Sequence, residues 1–215
     1  MGKIFDYVDR LFHVKKPHRK FLQRSIPANL NYFYCFGGIT LVLYTILVIT
    51  GLYLSVYYIP SESDAYASIR FIQEKVYLGL LMRSIHKWAT TLMIITITIH
   101  MLRVVVTGSY KRPRELNWVV GSFLLVFTFA FGFTGYLLPW DQKAYWATVV
   151  GTAMAGSIPL IGEPLLYLLR GGMDVDGQSL IRFYSIHSFW LPAFTGVFLW
   201  VHFHMVKRQG IARIL

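Results

Sequence analysis

Four of the seven histidines sit at matching intervals inside otherwise apolar stretches. His86 and His100 are 14 residues apart, and His187 and His202 are 15 apart. At roughly 100° per residue, these intervals return to within about 40° and 60° of the starting face, and each separates its pair by roughly 21–22 Å along a helix. Ionisable groups inside hydrocarbon are costly and call for a purpose. With both helices running the same way, His86 shares a depth with His187, and His100 shares one with His202. Two imidazoles meeting at one depth form a bis-imidazole clamp for haem iron, and two clamps stacked across a membrane suit electron transfer between its faces. A single histidine in such a stretch reads more simply as a packed polar side chain; the fourfold match favours iron. His204 lies 17 residues from His187, roughly 100° off that face, and is excluded as a ligand. His13 and His18 lie outside the apolar stretches.

Glycines repeat the same vertical period. Gly37 and Gly51 are 14 residues apart, as are Gly121 and Gly135. A flat macrocycle needs close backbone approach from neighbouring helices, which a residue without Cβ permits. Helix packing alone also selects glycine in membranes, so the shared period carries the argument. Arg83 and Lys87 flank His86, and Arg103 lies just beyond His100. Each is a candidate partner for anionic haem propionates, or a side chain snorkelling to lipid headgroups.

The elements that must hold these residues are membrane helices. Only 14% of the 215 residues are charged, against about a quarter in soluble domains, and mean hydropathy is +0.50. No charged side chain occurs over residues 25–61, 116–140 or 183–206, each long enough for a span of about 20 residues. We read four spans, 32–56, 79–106, 116–138 and 182–206, in an all-α integral membrane bundle. Residues 142–151 and 161–169 are read as short surface helices; residues 144–162 are uncharged, but rich in Gly, Ala, Thr and Ser, and make poor lipid-facing material. The net charge of +11 does not point to nucleic acid, because the bases flank apolar spans. Lys3 through Arg24, Lys111–Arg114 and Lys207–Arg213 fall at one end of an even number of spans. The positive-inside rule puts that end, with both termini, on the cytoplasmic or equivalent negative side. Residues 1–31 read as a basic interfacial segment, not a targeting peptide. The one cysteine, Cys35, excludes an internal disulfide and by its residue type alone is an ordinary small apolar side chain.

Longer motifs add a resemblance. Phe33-Tyr34-Cys35-Phe36-Gly37-Gly38, Arg83-Ser84-Ile85-His86, Lys111-Arg112-Pro113-Arg114-Glu115-Leu116, Thr134-Gly135-Tyr136, Leu138-Pro139-Trp140-Asp141, Arg182-Phe183-Tyr184-Ser185 and Lys207-Arg208-Gln209-Gly210-Ile211 resemble the cytochrome b6 family of split cytochromes b over essentially the whole chain. The resemblance implies the N-terminal, four-helix half of a cytochrome b with two haem b, one held by His86 and His187 and the other by His100 and His202. It also implies a haem c joined to Cys35 by one thioether bond, although no Cys-x-x-Cys-His pattern is present. Tyr136, Pro139, Trp140 and Asp141 would border a quinol-oxidising pocket. A Pro-Glu-Trp-Tyr motif completes that pocket in the family's second half and is absent here, so a subunit IV-like partner is expected in trans. Further expected partners are a Rieske iron–sulfur protein, a membrane-attached c-type cytochrome, small membrane subunits, lipids and a second copy of the whole complex.

The function so implied is quinol oxidation on the positive side, electron transfer across the membrane to a quinone site, and coupled proton translocation. Lys87, Lys143 and the order Lys207-Arg208 depart from the commonest photosynthetic form. They point to a bacterial cytoplasmic membrane more than a thylakoid, and leave the quinone open between menaquinone and plastoquinone. The alternative is a di-haem anchor of a hydrogenase or formate dehydrogenase, which would need neither the Cys35 context nor the Leu-Pro-Trp-Asp segment.

Overall fold

A computed structural model of the chain describes residues 32–210, and among them every regular element is helical. The basic segment expected to be interfacial, residues 1–31, lies outside the described residues. A 3₁₀ turn, Tyr32–Cys35, leads into α1 (Phe36–Ser55). There follow α2 (Ala65–Glu74), α3 (Gly79–Val106) and α4 (Glu115–Leu137). Two short helices, α5 (Gln142–Gly156) and α6 (Gly162–Arg170), precede α7 (Gly177–Ser185), a π-turn (Ile186–Trp190) and α8 (Leu191–Gln209). Among the described residues, four segments are long and apolar enough to cross a membrane: Tyr32–Ser55, Gly79–Val106, Glu115–Leu137 and Gly177–Gln209.

These spans match the sequence reading apart from the fourth, which starts five residues before the expected residue 182. Arg182 looks like a boundary, but the helix is launched earlier by a capping box. Asp176 accepts from the backbone N–H groups of Gln178 and Ser179, and Ser179 Oγ accepts from the Asp176 N–H. Such a cap satisfies N–H groups that the first turn cannot. The helix α2 was not anticipated. Its buried residues Ala65, Ser68, Ile69 and Ile72 fall at helical spacing on one face, the pattern of a surface helix. The expected surface helices extend to Gln142–Gly156 and Gly162–Arg170; the first, at 15 residues, is too short to span.

The spans form two hairpins, α1 against α3 and α4 against α8, which meet chiefly along α3 and α4. Their ends are distinct. At the basic end, Arg103 lies 4.5 Å over the Tyr34 ring, Arg114 donates to the Gln209 carbonyl, and the Gln209 amide donates to the Pro113 carbonyl. At the opposite, loop end, the chain builds a side-chain core. Among the described residues, the largest fully buried side chains are Ile72, Leu137, Thr148, Thr152, Ser179, Leu180 and Phe183. Arg170 ties this layer together, donating to Thr152 Oγ1 at 2.7 Å and to the carbonyls of Met173 and Val149. Along the spans, Val42, Ile49, Leu52, Trp88, Leu92 and Val126 are exposed, as suits a lipid-facing surface.

Candidate functional site

Each of the four histidines packs against a glycine of the other helix in its own hairpin. An added Cβ would stand 2.9 Å from His100 Cε1 at Gly37 and 3.3 Å from His86 Cε1 at Gly51. It would stand 3.6 Å from His202 Cε1 at Gly121 and 2.7 Å from His187 Cε1 at Gly135. The nearest neighbours that these glycines make room for are therefore the imidazoles themselves. The period of 14 in the glycines follows that of the histidines because each glycine is the seat of one ring.

The rings of His86 and His187 come together from separate hairpins, their centroids 6.4 Å apart and their planes inclined by 64°. An imidazole nitrogen bonds a transition metal at about 2 Å and lies roughly 1.1 Å from its ring centre, so two imidazoles sharing one metal have centres about 6.3 Å apart. The spacing therefore fits one iron between two nitrogens. Phe131 packs edge-on against His187 at 5.6 Å. His100 and His202 are close enough at the basic end to interact electrostatically, and both Nδ1 atoms are buried without a hydrogen-bond partner among the described residues.

The unequal intervals of 14 and 15 have a structural reason. In straight helices the corresponding displacements of about 40° and 60° run in opposite senses, about one residue of rotation apart. The fourth span contains a π-turn over Ile186–Trp190, where Leu191 N–H bonds to the Ile186 carbonyl five residues back. A π-turn takes up one extra residue within an α-helix, so the 15-residue interval behaves as 14 and the two histidine pairs come into phase. Pro192, in the first turn of α8, has no N–H to give the carbonyl four residues earlier, and the wider turn accommodates it.

Other anticipated residues divide between the two ends. Arg103 is half-buried near His100, and its Nε has no hydrogen-bond partner among the described residues. Arg83 is half-buried, Lys87 is exposed, and Cys35 is exposed just before α1, two residues from Gly37 and its His100 contact. His204 stacks on Trp200 on an exposed face. At the loop end, Tyr136 is exposed and Trp140 half-buried, edge-on to Tyr145 at 5.9 Å. Pro139 is half-buried beside it. Trp140 has φ +51°, a left-handed conformation that costs a bulky residue about 1–3 kcal/mol. Tyr58 helps hold that turn by donating to the Leu138 carbonyl at 2.6 Å, and burial raises its phenol pKa. Asp141 caps α5, accepting from Ala144 N at 2.8 Å. Two residues were missed. Thr50 and Thr134 each place Oγ1 against a histidine Nδ1, of His86 at 2.8 Å and of His187 at 3.0 Å. Thr-Gly occurs four times in the sequence, and the available signal was that two of those dipeptides, Thr50-Gly51 and Thr134-Gly135, fall on glycines of the 14-residue period.

The profile of the Cytochrome b/b6/petB family matches residues 21–210. The chain belongs to this family. Cytochrome b6 of Auxenochlorella protothecoides is 43% identical over 212 residues, covering 99% of each protein. A chain of a hyperthermophilic respiratory complex III superposes with a TM-score of 0.90 at 30% identity, over 97% of this chain. The present chain spans 56% of that longer one. It is thus an integral membrane, four-span cytochrome b. The family implies haem b, and the paired imidazoles with their glycine seats have the donor chemistry and spacing to accept it.

Proposed function

We propose that this chain is the di-haem cytochrome b subunit of a quinol oxidoreductase that delivers electrons to a c-type cytochrome or an equivalent carrier. The observation that carries this reading is the 6.4 Å approach of His86 and His187 from two hairpins, with a second histidine pair at the other end. His86 and His187 would hold one haem b, and His100 and His202 the other. Bound haem supplies one-electron chemistry at two levels, so an electron from quinol at the loop end can cross to quinone at the basic end.

The chain's own residues orient, seat and shield. Gly37, Gly51, Gly121 and Gly135 admit the rings, Phe131 packs on His187, and the apolar spans exclude water. Arg83, Lys87 and Arg103 are the bases available to haem propionates. The strained Trp140, with Tyr136, Pro139 and the Asp141-capped helix, would border the quinol pocket, since such strain concentrates at functional sites. A second-half subunit completes the pocket, and a Rieske protein, a membrane-attached c-type cytochrome, small subunits and lipids complete the complex, which is a homodimer. The Arg114 and Lys207–Arg208 end faces the negative side, where protons are taken up; they are released at the loop end. Cys35, exposed near the His100 level, would carry a haem c through one thioether bond.

Anaerobic redox-titrated absorption of the purified complex, followed by acid–acetone extraction, tests this. We expect two extractable b haems and one haem retained on the polypeptide, with the retained haem lost in Cys35→Ser. Two b haems with nothing retained would remove the Cys35 bond alone. Absence of redox-active haem would overturn the assignment.

A further inference from the structure

Histidine binds a metal through a deprotonated ring nitrogen, and the bond made by its other nitrogen decides which one is free. At the loop end that bond is made by threonine. Thr50 Oγ1 lies 2.8 Å from His86 Nδ1, and Thr134 Oγ1 lies 3.0 Å from His187 Nδ1. A hydroxyl has one proton to donate, and both are engaged within their own helices. Thr50 donates to the Ile46 carbonyl and Thr134 to the Ala130 carbonyl, each at 2.7 Å. Toward the imidazoles, these oxygens are left to accept. The carbonyls of Leu47 and Phe131, which can only accept, also lie beside His86 and His187. Nδ1 therefore carries the hydrogen in both rings, and Nε2 keeps its lone pair.

The basic end lacks this arrangement. Among the described residues, Nδ1 of His100 and Nδ1 of His202 have no hydrogen-bond partner of normal geometry. The Asn117 carbonyl lies beside His202 as those of Leu47 and Phe131 lie beside His86 and His187, so it is the threonine that is missing. The difference comes down to one residue per helix. The glycines seating the loop-end rings follow Thr50 and Thr134, whereas those seating the basic-end rings follow Phe36 and Val120.

Resting on the haem-binding reading above, we propose that Thr50 and Thr134 are positioning residues that fix the tautomer of His86 and His187 and lower the reduction potential at that level. An Nδ1–H held by an acceptor makes Nε2 more basic, and a more basic ligand favours the oxidised metal. The threonines touch neither substrate nor iron and act through the rings alone.

The test is redox-titrated absorption of the whole complex, with haem content and the low-spin ferric EPR signals measured in parallel. Thr50→Val and Thr134→Val keep the shape and remove the acceptor. Each should shift the same b component to higher potential, by about tenfold in its one-electron equilibrium or roughly 59 mV, and change that component's EPR signal. Thr50→Ser and Thr134→Ser should restore both. The converse variant Val120→Thr, in an otherwise native protein, should lower the other component. Haem bound in full with unmoved potentials in the valine variants overturns this inference and leaves the proposed function standing. If the valine variants fail to assemble, an unmoved component in Val120→Thr overturns it. Absence of haem from the native complex removes the proposed function itself.

Discussion

At the scale of residues, the four ring–glycine contacts are graded, and the grading makes a prediction. A methyl at Gly135 would stand 2.7 Å from His187 Cε1, closer than real Cβ contacts allow, whereas one at Gly121 would stand an ordinary 3.6 Å from His202. Overpacking a fitted interior costs about 1–3 kcal/mol. Gly135→Ala is expected to lose the loop-end haem, about half the extractable haem b, while Gly121→Ala keeps both; pyridine haemochrome per polypeptide measures this. Asp141 offers a second contrast. Its carboxylate caps α5, so Asp141→Ala should destabilise by about 0.5–2 kcal/mol and Asp141→Asn should retain most of that, read by thermal melting. The histidines and glycines were legible because polar or Cβ-free residues at a fixed period stand out in apolar sequence. The threonines were not, because a hydroxyl bonded to its own helix is commonplace. Only its second contact, across to His86 Nδ1, distinguishes Thr50 from Thr45, whose hydroxyl likewise bonds a carbonyl of its own helix, that of Leu41.

Among the elements, the π-turn has the clearest consequence. If Ile186–Trp190 absorbs the extra residue of the 15-residue interval, deleting a residue there should be harmless once the proline is also relieved. The double variant lacking Ser188 and carrying Pro192→Ala is expected to bind both haems on a straight helix. Deleting Val197 from the regular part of α8 should turn His202 by about 100° and lose the basic-end haem. Haem content and redox titration separate the two outcomes; equal behaviour of the two deletions would contradict the phase argument. Most element boundaries were readable from charge and hydropathy. The start of α7 was not, since Arg182 interrupts the apolar run, although the Asp176–Ser179 capping box lay in plain view. The helix α2 was missed because its ten residues carry too few periodic positions to stand out beside the turn at Pro60–Asp64. The π-turn left only an oblique trace, the one-residue mismatch between histidine intervals.

For the whole molecule, the strongest packing runs within hairpins, and each hairpin holds two complete ring–glycine contacts. A chain divided between Gly108 and Ser109, in the loop joining the hairpins, should yield two fragments that bind no haem alone. Co-expressed, they should recover both b components by redox titration. Haem bound by one fragment alone would sink this reading. The order along the chain is Gly37, Gly51, His86, His100 and then Gly121, Gly135, His187, His202. Gly37 answers to Gly121, and His86 to His187, about an axis running along the bundle. The paired rings are thus symmetry mates in an approximate twofold arrangement, to which the π-turn restores the one residue by which the halves differ. A polypeptide carrying a single hairpin could in principle regenerate both levels by pairing with its own copy.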